Sequence, residues 1–189
     1  MPPLVRRSGE IEALMLKRLF RANPTRDVGR ALYAAAVTQS RAPALYETFA
    51  APDTVEGRFE IYTLHVVLLL DRLNQPGEKV KETSQALFDA YVAALDDALR
   101  EMGVGDLSVG KKMRKLGEAF FGRVKSYHTA FAELPQTGPL HDLLARTVYA
   151  EGDAGHVPAL ADYVIAQRAH LAVQPLEPFL AGRVDWRTP

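Results

Sequence analysis

Val109-Gly110-Lys111-Lys112-Met113-Arg114-Lys115-Leu116-Gly117-Glu118-Ala119-Phe120-Phe121-Gly122-Arg123-Val124-Lys125-Ser126-Tyr127-His128-Thr129-Ala130-Phe131-Ala132-Glu133-Leu134 decides the fold class. Within it Val109, Met113, Leu116, Phe120, Val124, Tyr127, Phe131 and Leu134 recur at intervals of 4, 3, 4, 4, 3, 4 and 3. That spacing keeps them on one face of an α-helix of 3.6 residues per turn. The same logic works outward on both sides. Upstream, Phe88, Tyr91, Leu95, Leu99 and Met102 stripe a helix from about Glu78 to Met102, and Gly103 stands where a C-terminal glycine belongs. Ser108 is the expected cap of the helix that follows. Before Asn74-Gln75-Pro76-Gly77, a stop and turn, Val55, Phe59, Tyr62, Val66, Leu69 and Leu73 form another stripe. Leu64, His65, Val67, Leu68 and Leu70 make this helix apolar nearly all round, so it should be central. Asp53, with Glu56 three residues on, has capping-box spacing for its start.

Nearer the N-terminus, residues 1–9 read as a short arm. Residues 10–22 read as an amphipathic helix ended by Asn23-Pro24, with Lys17, Arg18 and Arg21 beside its apolar side. Docking on the core is its default, with a membrane surface as the other choice. Thr25 is the expected cap of a helix to about Ser40, and 42–52 reads as a loop or broken turn. Downstream, Pro135 to Pro139 is a break, and shorter helices are expected near 140–150, 157–173 and 176–181.

Composition agrees. The chain has 189 residues, enough for one core that needs no staple. It has 27 Ala and 24 Leu against 3 Ile, a helix-former's mix rather than a strand-former's. The expected fold is all-α, a single compact multi-helix domain of about seven or eight helices. Uninterrupted apolar runs, Val66 to Leu70 among them, are far short of the ~20 residues that span a bilayer. No secretory h-region stands out in the first 30 residues, so the expected location is cytoplasmic. With no cysteine, thiolate metal sites, disulfides and a cysteine nucleophile are excluded.

Catalytic constellations fail on spacing. Gly105-Asp106-Leu107-Ser108-Val109-Gly110-Lys111-Lys112 nearly spells a phosphate-binding loop. However, Lys112 stands where Ser or Thr must hold magnesium, and a helix precedes it instead of a strand. No two of His65, His128, His141, His156 and His170 are three or four apart, so no helix offers a metal pair. Asp96 and Asp97 diverge around their helix, and there is no G-x-S-x-G. No cofactor and no catalytic residue is expected, so the chain reads as a non-enzyme.

Charge is more informative. Lys plus Arg and Asp plus Glu each number 23, a net charge of zero that argues against a general nucleic-acid or membrane binder, and DNA is not an expected partner. The zero is uneven: residues 1–30 carry +4, 78–106 carry −4, 111–125 carry +5 and 133–162 carry −4. Lys111, Lys112, Arg114, Lys115, Arg123 and Lys125 make the basic segment. Either it pairs with the acidic helix before it, or it meets an anionic partner such as an acidic protein, ribosomal RNA or lipid.

Three segments also carry a resemblance. Leu32-Tyr33 to Arg41, then Pro43 and Tyr46, form one. Pro52-Asp53-Thr54-Val55-Glu56-Gly57-Arg58-Phe59-Glu60 followed by Leu64-His65 form the second. Leu99-Arg100-Glu101-Met102-Gly103-Val104-Gly105-Asp106, Val109-Gly110-Lys111-Lys112, and Phe120-Phe121-Gly122-Arg123 with Tyr127 form the third. Together they resemble the ubiquinol–cytochrome c chaperone family, strongly over 30–130 and more weakly over 140–185. The resemblance implies a helical, non-enzymatic assembly factor for the cytochrome bc1 complex. It also implies newly made cytochrome b or another bc1 subunit as client, with a ribosome or an anionic membrane surface nearby and a peripheral place at the inner membrane. With the breaks read from the residues, the chain divides into an arm and amphipathic helix, 1–24, and a helical chaperone domain, 25–189, with a candidate minor subdomain break at 135–139. The candidate partner-binding residues are Arg41, Asp53, Arg58, His65, Asp106, Lys111, Lys112, Lys115, Arg123 and Tyr127. Each motif residue has a structural alternative: Asp53 a helix cap, Asp106 a turn residue, Arg58 and Arg123 members of internal ion pairs.

Overall fold

The computed structural model describes residues 24–189, so the amphipathic helix expected over 10–22 lies outside the described residues. Eight α-helices follow in order among the described residues: α1 (Pro24–Ser40), α2 (Pro43–Glu47), α3 (Val55–Arg72), α4 (Glu78–Glu101), α5 (Asp106–Ala132), α6 (Gly138–Arg146), α7 (Val157–Val173) and α8 (Leu176–Leu180). A single 3-10 turn, Ala154–His156, precedes α7. There is no strand among the described residues, in line with the expected all-α class.

The centre is α3. From Thr63 to Leu69 every side chain is buried, which is the all-round apolarity read from the sequence. Around it pack α1, α5 and α7, and α4 lies along α1. The α1–α4 crossing is tight because Gly29 has no side chain. A Cβ there would stand 2.3 Å from the backbone carbonyl of Ala86. At the end of α4, Gly103 takes φ +79°. Its N–H bonds the Arg100 carbonyl at 2.9 Å and the Val104 N–H bonds that of Leu99 at 3.0 Å, closing the helix as the glycine predicts.

Several boundaries differ from the sequence expectations. The cap of α3 is Thr54, whose Oγ1 accepts from the Gly57 N–H at 3.1 Å; Asp53 is displaced by one residue and turns to Arg58 instead. Pro24 opens α1, a position where its missing N–H costs nothing, so Thr25 is already in the first turn. Gly105 precedes α5, and Ser108 lies in its first turn, not at its cap. The 42–52 loop contains α2, begun by Pro43. Val55 and Met102, expected on buried stripes, are exposed, because each sits at a helix end beyond the reach of its neighbours.

Candidate functional site

The sequence candidates fall into three places. The first is a cleft of about 250 Å³ where α1, α3 and α4 meet the start of α2. Tyr33, Val37, Tyr46, Phe59, Tyr62 and Leu95 line it, and Arg41 and Arg58 stand at its rim. Tyr46 is held by donating its hydroxyl to the Ser40 carbonyl at 2.8 Å, and the Arg58 guanidinium lies over its ring at 5.7 Å. Arg58 pairs with Asp53, both more than half exposed. That contact holds the Asp53 carboxyl below the usual range and raises the Arg58 pKa. Behind the cleft an aromatic column runs inward: Tyr33 meets Tyr62 edge-on at 5.5 Å, Tyr62 stacks on Tyr91 at 5.3 Å, and Tyr91 meets Phe120 at 4.5 Å.

The second place is interior. Glu60 of α3 accepts both forks of Arg123 of α5, at 2.9 and 2.7 Å, and this pairing raises the Arg123 pKa. Arg123 is therefore the internal ion-pair member that the sequence allowed. Breaking a buried pair by removing one partner costs about 3–5 kcal/mol. The Arg123 side chain is 30% exposed, so Arg123→Ala is expected to cost about 2–3 kcal/mol in urea unfolding. A loss under ~0.5 kcal/mol would show that water replaces the pair without penalty.

His65 and Tyr127 are fully buried, so any part they play with a partner passes through packing. The His65 Nδ1 lies 2.7 Å from the Ile61 carbonyl and Nε2 lies 2.8 Å from the Tyr163 hydroxyl. The carbonyl can only accept, so Nδ1 carries the proton and Nε2 accepts from Tyr163. Burial lowers the His65 pKa to about 4, with the Ile61 carbonyl acting the other way. Burial also drives the Tyr127 pKa up.

The third place is the outer face of α5. Lys111, Lys112, Arg114, Lys115 and Lys125 are exposed and form no ion pair among the described residues. The acidic α4 does not neutralise them. The α4–α5 ion pair has the opposite sense: Arg100 of α4 reaches Asp106 of α5 at 2.6 Å and Asp96 at 2.6 Å. At about 100° per residue, Leu107, Lys111, Arg114, Phe121 and Lys125 lie within about 40° of one line along the helix. Lys112 lies well off it. Leu107 is fully exposed and Phe121 is 60% exposed. Glu118 is the one carboxylate on this face. Arg114 and Lys125 entered the sequence reading only as members of the basic segment, and Leu107 and Phe121 were not among the candidates. The signal was present: two large apolar residues 14 apart on the side opposite the buried stripe.

No group of three or more His, Asp or Glu among the described residues could hold a metal ion. No helix of the described residues is long and apolar enough to cross a membrane. What the fold does present is a helical scaffold with an aromatic cleft and a basic helix bearing bare apolar side chains, the build of a protein that works by binding others. The chain belongs to the ubiquinol-cytochrome C chaperone family, whose model matches residues 47–186. Its class is thus a chaperone in the making of ubiquinol–cytochrome c reductase, the cytochrome bc1 complex. The crystal structure of the Cbp3 homolog from Brucella abortus is similar to it at a TM-score of 0.79 and 29% identity, over 93% of this chain and 96% of that one. No curated protein matches the chain by sequence.

Proposed function

We propose that this chain holds a newly made hydrophobic bc1 subunit, cytochrome b, at the cytoplasmic face of the inner membrane until it is assembled. The observation that carries this reading is the outer face of α5. Leu107 lies wholly in water and the Phe121 ring is 60% exposed, and a partner's apolar surface laid along this face would cover both. The unpaired cations around them suit a client that emerges beside anionic lipid. The aromatic cleft, with Arg41, Asp53 and Arg58 at its rim, offers a second contact for the client.

Deleting the gene is expected to lower the cytochrome b signal in reduced-minus-oxidised membrane spectra. Wild-type protein should restore it, and Leu107→Asp with Phe121→Asp should not. Leu107 is fully exposed, so Leu107→Asp alone should keep the wild-type unfolding midpoint and serves as the stability-neutral arm, whereas the Phe121 ring also meets Phe88 at 5.5 Å and Phe120 at 5.9 Å. A normal cytochrome b signal in the deletion strain would overturn the reading.

The same face favours anionic lipid over ribosomal RNA as its neighbour, because an aliphatic Leu107 at the tip suits an acyl boundary and cannot stack on a base. Each basic residue near an anionic surface contributes about 1 kcal/mol. Flotation with anionic vesicles should therefore weaken at least tenfold in Lys111→Glu with Lys125→Glu and fall as salt rises. Lys112→Ala, off the line, should float as wild type does. Flotation that ignores both salt and the lysine changes would remove lipid from the account.

A further inference from the structure

The segment after α8 lies over α1 and α7 as an extended strap, and it is held in an unusual way. Two glutamines of the α7 region grip its main chain. Gln167, itself buried, donates its amide to the Arg187 carbonyl at 2.6 Å and accepts the Arg187 N–H at 3.1 Å. Seven residues on, Gln174 donates to the Asp185 carbonyl at 2.7 Å and accepts the Asp185 N–H at 3.2 Å. From α1, Gln39 adds a bond to the Arg187 carbonyl at 2.8 Å and one to the Tyr163 hydroxyl at 3.0 Å. Each of the two α7 glutamines therefore does for one strap residue what a neighbouring β-strand would do. The strap residues gripped are alternate ones, so the side chain between them points the other way. That side chain is Trp186, which lies edge-on to His65 at 5.5 Å.

Main-chain pairing reads no sequence. Sequence is read instead by the pocket between the two paired residues, flanked by Val184 on the core and by the Asp185 carboxylate 3.1 Å from His170. In that pocket the present occupant is imperfect. The Trp186 indole N–H is buried and has no partner among the described residues. A buried donor without an acceptor weakens the contact, and an aromatic ring lacking that N–H would escape the penalty.

We propose that this groove is an exchangeable peptide clamp, occupied in cis by residues 184–187, and that an extended segment bearing a phenylalanine displaces the strap. The partner it fits is a stretch of unfolded chain with free main-chain N–H and C=O groups. That this stretch belongs to the chaperone's client rests on the reading above; the exchange itself does not. The strap then acts as an autoinhibitory contact, keeping the groove covered until a client segment takes its place.

Trp186 is the chain's one tryptophan, so its fluorescence reports the strap in the intact protein. The probe is the peptide of residues 183–189 carrying Trp186→Phe. A tethered strap competes at an effective concentration in the millimolar range, so half-displacement is expected at about millimolar peptide. The expected result is a saturable red shift of Trp186 emission and a several-fold gain in acrylamide quenching. The same peptide carrying Trp186→Gly should leave both unchanged. No shift with the phenylalanine peptide up to its solubility limit would overturn the proposal, and so would an equal shift with the glycine peptide. Neither outcome touches the chaperone reading, which the cytochrome b signal of the deletion strain decides.

Discussion

Gly29→Val is expected to lower the stability of this chain by about 4 kcal/mol, at the upper end of what one substitution does. A Cβ at this position would meet the Ala86 backbone at 2.3 Å. Backbone atoms cannot swing aside as the tip of a flexible side chain can, so the two helices must part along their length. Overpacking alone costs about 1–3 kcal/mol, and parting α1 from α4 also loosens Leu32, Ala36 and Leu87 in the core. For a chain of this size the thermal midpoint should fall by about 10 °C. Gly29→Ala should cost less, about 2 kcal/mol, since alanine regains about 1 kcal/mol of helix propensity. Gly110→Ala is the matched control. Nothing lies within 4 Å of a Cβ there, so propensity acts alone and the variant should gain up to ~1 kcal/mol. Equal midpoints for Gly29→Val and the wild type would show that the α1–α4 crossing is far looser than these distances require.

The second large effect is one of pH. His65 is neutral in the fold, with its pKa lowered from 6.5 to about 4 by burial. The unfolded chain binds a proton at this residue below pH 6.5 and the folded chain does not, so stability falls as pH drops through that window. The loss is complete near pH 4 and amounts to about 3 kcal/mol. Protonating Nε2 would also remove the acceptor that Tyr163 uses. Urea midpoints at several values between pH 7.5 and 4.5 measure the effect. Carboxylates titrate over the lower part of this range in any variant, so the comparison that isolates His65 is with His65→Gln. The wild-type profile should fall more steeply than the variant's between pH 6.5 and 4.5. Parallel profiles would mean that His65 titrates alike in both states.

Periodicity was enough to find α3, α4 and α5, because each buries an apolar stripe and ends on a glycine, a proline or a cap. It failed where a few residues decide. The α2 turn has one buried side chain, Leu45, and no period to read. Asp53 and Thr54 are both good caps, and their order was settled by Arg58, five residues beyond Asp53, which holds the carboxylate away from the helix start. The partner of Arg123 could not be read either, since Glu60 stands 63 residues earlier and only the packing of α3 on α5 brings them together. The charge zones were legible but their pairing was not. A block of five cations beside an acidic helix looks self-neutralising in sequence, yet helix phase turns Lys111, Arg114 and Lys125 outward. The strap left no sequence signal at all, because side-chain amides that grip a main chain impose no pattern on the residues they hold.

The two halves of α5 are held unequally. Beyond Phe120 the helix is anchored by Phe120, Tyr127, Ala130 and Phe131, whereas before it Val109 is the one buried residue. Mechanically, the first half is an arm of about 20 Å at 1.5 Å per residue, pinned near its tip by Val109 and the Arg100–Asp106 pair and able to swing once those two contacts give. Its fulcrum lies beside the Glu60–Arg123 fork, and a two-pronged ion pair resists rotation about the helix axis more than it resists tilt. A load on Leu107 would therefore swing the arm without rolling it. Lys111 and Arg114 would keep facing outward while their angle to Phe121 and Lys125, on the anchored half, changed.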